Sequence, residues 1–222
     1  MSSPARTRSW NAAMGASPGD IDLTIPPGHI EGALPKRLRG GRMLSNGPGW
    51  TRIGDRTAHP FDGHGYVRGY LVRPYSADSR SETPSRLPGI IVVHENRGLN
   101  PHTEDVARRF ALENFMAFAP DVLTSVGGYP GDDYQGGQLF RELDGDRRFE
   151  DIVASALWLK NRPDCTGKIG ITGFCYGGSV SNQMAVRLGD DLAAAVPFYG
   201  GGAPASEVSN ISAAVMVQHG EL

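Results

Sequence analysis

The sequence is short of the features that mark several specialised classes of protein. Two cysteines in 222 residues, Cys165 and Cys175, cannot build a disulfide framework or a four-cysteine zinc site, so a reducing cytoplasm is the expected location. No apolar run approaches the roughly 20 residues of a membrane-spanning helix, and the arginine-bearing N-terminus has no apolar segment behind it. The sequence therefore predicts neither a membrane protein nor a secretory signal.

An excess of charge of one sign is also lacking. Lysine and arginine total 22 and aspartate and glutamate total 24, which leaves a formal net charge of −2. Such a chain lacks the basic surface that attracts nucleic acid or an anionic membrane, so we expect neither as a partner. Hydrophobic residues make up 39% and charged residues 21% of the chain, which is ordinary for a globular domain.

Residues 1–66 differ in composition from the rest of the chain. They hold 11 of the 30 glycines and 7 of the 16 prolines, and neither a helical nor a strand period runs through them. We predict an irregular N-terminal extension over 1–66 and a single domain over 67–222.

Segments of strand and helix character alternate from residue 67 onwards. The stretch GYVRGYLVRP alternates like an exposed or edge strand, whereas PGIIVVHENRG holds an apolar run typical of a strand buried on both faces of a parallel sheet. Helical spacing runs through NPHTEDVARRFALENF, with Thr103 as the expected N-cap, and through RRFEDIVASALWLKNRP; residues 125–137 indicate a loop. This order predicts an α/β fold, with a mostly parallel sheet and helices on both faces.

The stretch GITGFCYGGSV places Cys175 between glycines where a predicted strand passes into a predicted helix. The letters GFCYG have the G-x-C-x-G form of a nucleophile elbow, a sharp turn that holds a nucleophile above the sheet. The helix N-terminus favours a thiolate there, and the backbone N–H of Tyr176 would face an oxyanion. The alternative is a buried structural cysteine, which is our interpretation of Cys165 in its polar turn.

The stretch HENRG closes the predicted buried strand and supplies a second candidate. Because the carboxyl ends of parallel strands meet at one edge of a sheet, Glu95 is expected near the cysteine. A carboxylate beside a thiol can hold it protonated or accept its proton, and the backbone N–H of Asn96 could be a second oxyanion donor. An equally supported alternative is that Glu95 is a loop residue, solvated or paired with Arg97.

In these segments the chain resembles the dienelactone hydrolases, or carboxymethylenebutenolidases, a family with the α/β-hydrolase fold. GFCYGG is similar to the cysteine elbow of that family, and IIVVHENRGLNPHTEDVARRFA is similar to its first central strand, glutamate and helix. FAPDVL and AAVPFYGG are similar to later segments, so that the resemblance runs from about residue 66 to residue 222.

The resemblance implies hydrolysis of a small-molecule ester or lactone through a thioester intermediate. It implies Cys175 as the nucleophile and Glu95 as the glutamate that controls the ionisation of the thiol. The backbone N–H groups of Tyr176 and Asn96 would be the oxyanion donors, and neither a metal nor an organic cofactor is implied. Family substrates carry carboxylates, for which the candidate partners are Arg97, Arg141, Arg147 and Arg148.

The chain departs from the family in the other two members of the catalytic triad. The family's aspartate would fall just beyond Leu222 and its histidine later still, so we expect the last part of the fold to be missing. His219 is the single histidine after Cys175, and Glu221 stands two residues out of register with the acid. A packed histidine is the simpler interpretation of His219, and we therefore expect this chain to be weak or inactive.

Three functions of different classes follow from the sequence. The first is a cysteine hydrolase, and the second is a non-catalytic α/β-hydrolase-like module that binds a small carbonyl ligand or a protein. The third, a nucleotide-binding protein, is disfavoured because both G-x-x-x-x-G-K-[ST] and G-x-G-x-x-G are absent. A fold without its last elements would expose apolar surface, so we also expect a homo-oligomer.

Overall fold

One sheet of seven strands forms the centre of the computed structural model, which describes residues 50–53 (backbone only), 67–74 and 86–221. Its strands are β1 Trp50–Ile53, β2 Val67–Val72, β3 Leu87–Val93, β4 Met116–Asp121, β5 Cys165–Phe174, β6 Ala194–Phe198 and β7 Ala214–Val215. Their order in the sheet is β1-β2-β4-β3-β5-β6-β7. The pairs from β4 to β7 are parallel, whereas β1 pairs antiparallel with β2, and β2 antiparallel with β4.

Helices connect the parallel strands. The described residues form α1 Pro101–Leu112, α2 Asp133–Glu142, α3 Gly145–Lys160 and α4 Tyr176–Leu188. Short 3-10 turns lie at Thr124–Val126, Gly189–Asp191 and Val208–Asn210. None of the helices in this part of the chain has the length and apolar character needed to cross a bilayer.

The core lies on both faces of the sheet because successive side chains of a strand point to opposite sides. Ile90 and Val92 of β3 belong to an apolar cluster with Ala107 of α1. Ile91 and Val93 belong to a second cluster, to which α3 and α4 contribute Ile152 and Met184 among others. A mostly parallel sheet with helices on both faces confirms the predicted α/β class.

The predicted edge strand GYVRGYLVRP is instead an inner strand. Val67, Tyr70 and Val72 of β2 are fully buried. The partner on its outer side is β1, which lies within the segment predicted to be irregular; the rest of residues 1–66 lies outside the described residues. β2 is an inner strand because it pairs with a segment distant in the sequence. A local hydrophobicity pattern does not encode such pairing.

Two helix boundaries also differ from the sequence-based expectations. Helix α1 begins at Pro101 with Asn100 as its N-cap, and the Asn100 side chain accepts a hydrogen bond from the N–H of Thr103. Proline suits the first helical position because it has no N–H that would need a hydrogen-bond partner there. The helix therefore begins at Pro101, before the predicted N-cap Thr103. Helix α2 occupies part of the predicted 125–137 loop, since Asp132 caps it by accepting from the N–H of Gln135.

Candidate active site

The sharp turn between β5 and α4 places Cys175 at the carboxyl end of a central strand. Cys175 has φ 54° and ψ −110°, a backbone conformation that is strained for any residue with a side chain. Its N–H donates to the carbonyl oxygen of Phe198 at 3.1 Å, which ties the turn to β6. This geometry is that of a nucleophile elbow, as the G-x-C-x-G pattern predicts.

The glycines of the pattern are required by close approach of backbone to backbone. A Cβ on Gly173 would lie 2.6 Å from the carbonyl carbon of Gly177, and a Cβ on Gly177 would overlap the carbonyl oxygen of Val93. Such overlaps are too close for real side chains. The helix that follows the elbow therefore packs directly on the ends of β3 and β5.

The thiol lies at the N-terminal end of a helix. Cys175 is half-buried and precedes the first residue of α4, whose first turn contains no acidic side chain. The positive end of a helix dipole stabilises an anion at this position. Within the part of the chain that the structure describes, no hydrogen bond reaches the Cys175 sulfur.

The loop that follows β3 brings Glu95 to the same edge of the sheet. Its carboxylate oxygen Oε1 accepts a hydrogen bond from the hydroxyl group of Tyr199 at 2.6 Å. Arg97, the alternative partner that the sequence suggested, instead lies 3.5 Å from a carboxylate oxygen of Asp133 on α2. The Glu95 carboxylate is thus hydrogen-bonded to a tyrosine. It pairs neither with Arg97 nor with the thiol.

Tyr199 is a site residue that the sequence reasoning missed. It directly follows β6 at φ 38°, and the hydrogen bond to Glu95, aided by desolvation, raises its pKa to about 12. The signal in the sequence was the stretch FYGG, which follows a strand just as HENRG and GFCYGG do. A polar aromatic residue at the end of a third parallel strand is a candidate site residue for the same reason as Glu95 and Cys175.

The other two predicted donors lie where the elbow and the Glu95 loop meet. Tyr176 is the first residue of α4, and Asn96 is an exposed residue of the loop after β3. Among the described residues, neither of their N–H groups donates to another backbone group. The Tyr176 side chain points into the core, where burial raises the pKa of its phenol and the ring packs edge-on against Phe140.

Buried polar groups hold the Glu95 loop in place. The Asp121 carboxylate accepts hydrogen bonds from the N–H groups of Leu99 at 3.3 Å, Leu123 at 3.1 Å and Tyr129 at 2.8 Å. These three donors belong to two separate loops, so one carboxylate joins the loop after β3 to the loop after β4. Carboxylates that accept several backbone N–H groups form strong, directional contacts.

His94 supports the same loop from beneath. Its Nε2 accepts from the N–H of Val122 at 3.3 Å, and its Nδ1 contacts the carbonyl oxygen of Glu95, so the ring acts as acceptor and donor at once. Burial lowers the pKa of His94, although the nearby charge of Asp121 acts in the opposite direction. His94 is therefore a neutral structural group in this geometry rather than a proton carrier.

The residues that the sequence offered for the triad acid and histidine lie at the surface. His219 and Glu221 are exposed residues after β7. Of the candidate carboxylate partners, Arg141 and Arg147 are exposed, while the Arg148 guanidinium lies 3.8 Å from the centre of the Phe140 ring. The structure brings together Cys175, Glu95, Tyr176 and Asn96. The two exposed residues after β7 and the candidate arginines are not gathered around the thiol.

The fold and the elbow define a protein of the α/β-hydrolase class. The profile of the dienelactone hydrolase family matches residues 67–222, and the chain belongs to this family.

Similarity to individual proteins agrees with this assignment. YghX of Escherichia coli strain K12, provisionally named a hydrolase fragment, is 53% identical over 83 residues, which are 37% of this chain and 66% of that protein. A protein of Aquifex aeolicus strain VF5, provisionally named a carboxymethylenebutenolidase, is 33% identical over 142 residues, which are 60% of this chain and 56% of that protein.

A solved structure shows the same fold. The protein of Klebsiella pneumoniae subsp. pneumoniae MGH 78578, provisionally named a dienelactone hydrolase, matches with a TM-score of 0.55 and 26% identity, over 76% of this chain and 71% of that one. Matches to the two curated relatives span only 66% and 56% of their length.

Proposed function

We propose that this chain carries the thiol site of a dienelactone hydrolase-like cysteine hydrolase, which cleaves an ester or lactone through a thioester. The observation that carries the proposal is the position of Cys175, a half-buried thiol on a strained elbow at the N-terminus of α4. Membership of the family and the name of the Aquifex aeolicus relative support the same class of reaction. The substrate is a small molecule with an ester or lactone bond.

In the proposed reaction the thiolate of Cys175 attacks the carbonyl carbon of the substrate. The carbonyl oxygen becomes an oxyanion near the N–H groups of Tyr176 and Asn96. Collapse of this intermediate breaks the carbon–oxygen bond, and the alkoxide leaves with the proton that the thiol gave up. Water then hydrolyses the thioester, releases the acid and restores the thiol, with Glu95 controlling the ionisation of Cys175.

We further propose that the 222-residue chain turns over slowly. In the described residues no histidine donates to or accepts from the Cys175 sulfur, and His219 is exposed after β7. Hydrolysis of the thioester needs a base that activates water. A site without the triad histidine turns over more slowly by a factor of about 10³ or more. We therefore expect acylation to be faster than deacylation in this chain.

Hydrolysis of p-nitrophenyl acetate and of a dienelactone tests the proposal. We expect a fast release of product, about one equivalent per chain, followed by slow turnover, and we expect both phases to disappear in Cys175→Ala. Cys165→Ala is the matched control because Cys165 is fully buried beside Asp164, away from the elbow. Equal rates in the native chain and Cys175→Ala would contradict the proposal.

A second candidate function is a non-catalytic binding module. It is favoured by the same observation that argues for slow turnover, because His219 is exposed and no histidine of the described residues hydrogen-bonds to the thiol. Absence of product release in the native chain, together with binding of the lactone, would support this candidate.

We also propose a cytoplasmic location, for which both free thiols of the described residues provide support, and self-association of the chain.

A further inference from the structure

The contact between Tyr199 and Glu95 joins two strand ends across the elbow. Tyr199 follows β6 and Glu95 follows β3, while Cys175 lies between them at the end of β5. The hydroxyl group of Tyr199 donates to the Glu95 carboxylate at 2.6 Å. Cys175 is the last of the causes that raise the pKa of Tyr199, after the hydrogen bond to Glu95, desolvation and the charge of Glu95.

Tyr199 is held in one place by its backbone. Its φ of 38° is in the left-handed region, which residues other than glycine rarely adopt without compensation. Its N–H donates to the carbonyl oxygen of Gln218 at 2.9 Å, and a Cβ on the next residue, Gly200, would overlap backbone atoms of α4. The backbone turn is therefore fixed from both sides, and the side chain of Tyr199 reaches from it to Glu95.

The phenol of Tyr199 is a neutral donor throughout the neutral pH range. Its pKa is raised to about 12, first by the hydrogen bond to Glu95 and then by desolvation. A neutral phenol that donates to a carboxylate stabilises the ionised carboxylate. The contact therefore keeps the charge of Glu95 on the side of Tyr199.

We infer that Tyr199 is a positioning residue, which holds the ionised Glu95 carboxylate off the Cys175 sulfur and thereby permits the thiol to ionise. The inference rests on the proposed function, because it concerns the same thiol. A carboxylate free to turn towards Cys175 would accept the S–H proton in a hydrogen bond and repel the negative sulfur. Either effect favours the neutral thiol over the thiolate.

Other charged and titratable groups face this part of the molecule and bear on its pH dependence. His94 is buried in the loop of Glu95 and is neutral in the observed geometry, and Arg97 of that loop pairs with a carboxylate of α2. His102 on α1 is exposed and its ring lies 5.6 Å from that of Phe174, next to the thiol in sequence. The charged and titratable groups that bear on the pH dependence of this site are therefore Glu95, Tyr199, His94, His102, Arg97, Asp133, Asp121 and Arg148.

Alkylation of Cys175 by iodoacetamide between pH 5 and pH 10 tests the inference without any substrate. The variants are Tyr199→Phe, Glu95→Gln and the combination of both, each followed by mass spectrometry of the Cys175 peptide. We expect Tyr199→Phe to move the midpoint of the pH profile upwards by about half a unit or more, and Glu95→Gln to move it downwards. In the Glu95→Gln background, Tyr199→Phe should have no further effect.

The buried thiol of Cys165 is an internal control in the same experiment. Its exposure is 0% and burial raises its pKa, so its alkylation reports unfolding and excludes a variant that does not fold. If Tyr199→Phe is excluded in this way, Tyr199→Leu, which also removes the hydroxyl group that donates to Glu95, takes its place in the same comparison. An unchanged profile in Tyr199→Phe, or an equal shift with and without Glu95, would overturn the inference.

The two proposals fail in different experiments. A chain without ester hydrolysis but with the expected alkylation shifts would refute the proposed hydrolase and leave the role of Tyr199 intact. Hydrolysis that depends on Cys175, with identical alkylation profiles in the native chain and Tyr199→Phe, would support the proposed hydrolase and refute the role of Tyr199.

Discussion

At the scale of single residues, the polar groups beneath the site matter as much as those that face solvent. His94 is fully buried, accepts from the N–H of Val122 and contacts the carbonyl oxygen of Glu95. Both roles require the neutral ring, because a doubly protonated imidazole has no acceptor nitrogen. The loop that carries Glu95 and Asn96 therefore depends on the protonation state of one buried side chain.

This dependence predicts a loss of stability in mild acid. Because burial lowers the pKa of His94, the unfolded chain binds a proton near the ordinary value of about 6.5 while the folded protein resists it. The free energy of unfolding should therefore fall as the pH drops below that value, by up to about 1.4 kcal/mol per pH unit from this group.

Urea denaturation between pH 7 and pH 5 measures the effect. His94→Gln should lose this part of the pH dependence, since glutamine does not titrate. His102→Gln is the matched control because His102 is exposed, and it should retain the dependence of the native chain. Equal pH dependence in the native chain and His94→Gln would show that His94 is not the group responsible.

At the scale of elements, helix α2 is built into the wall of the site. A Cβ on Gly136 would overlap the carbonyl oxygen of Arg97, so the helix packs directly on the loop after β3. The hydroxyl group of Tyr129 donates to Asp133 of α2 at 2.7 Å, and Arg97 pairs with the same carboxylate group. A helix that begins in a predicted loop thus forms one side of the site.

Two neighbouring glycines of α2 give a prediction with opposite signs. Gly136→Ala should destabilise the protein by roughly 2 kcal/mol or more, because the backbone of Arg97 has to move. Gly137→Ala should stabilise it by up to about 1 kcal/mol, since the nearest atoms to its Cβ are 3.8 Å and 3.9 Å away and alanine is the better helix former.

Urea denaturation of both variants and the native chain provides the comparison. Both substitutions add the same methyl group at consecutive positions of one helix, so each controls for the other. Alkylation of Cys175 in Gly136→Ala should also change, because the displaced loop carries Glu95. Two changes of the same sign in the free energy of unfolding would refute the packing of α2 against this loop.

At the scale of the whole molecule, the sheet as described ends in a short and open strand. β7 contains two residues and pairs with β6 on one side, and it is extended by a bridge between Phe198 and Gln218. Val215 and Val217 are 40% and 57% exposed. An apolar strand edge invites pairing with another chain, which supports the proposed self-association.

Small-angle scattering and light scattering should therefore detect oligomers of the 222-residue chain. Val217→Lys should shift the population towards monomer, because a lysine on the edge disfavours strand pairing. Val126→Lys is the control, since Val126 is an exposed valine too, at 40%, but lies in a 3-10 turn remote in sequence from β7. A monodisperse native monomer would contradict this prediction.

Much of the candidate site was determined by the sequence itself. Gly173, Gly177 and Cys175 form the elbow because the tight backbone contact there admits only glycine, and such a constraint is written in adjacent letters. The central strand before Glu95 was equally clear, since a run of buried β-branched residues needs no distant partner to be recognised.

Only the tertiary structure decided which groups contact one another at the site. Glu95 had two supported interpretations in the sequence, and its partner proved to be Tyr199, which lies 104 residues further along the chain. The burial of β2, the support from Asp121 and the packing of α2 likewise arise between segments far apart in sequence. Local patterns report the conformation of a segment and which face is apolar, whereas contacts across the sheet depend on the order and register of the strands, which no single segment encodes.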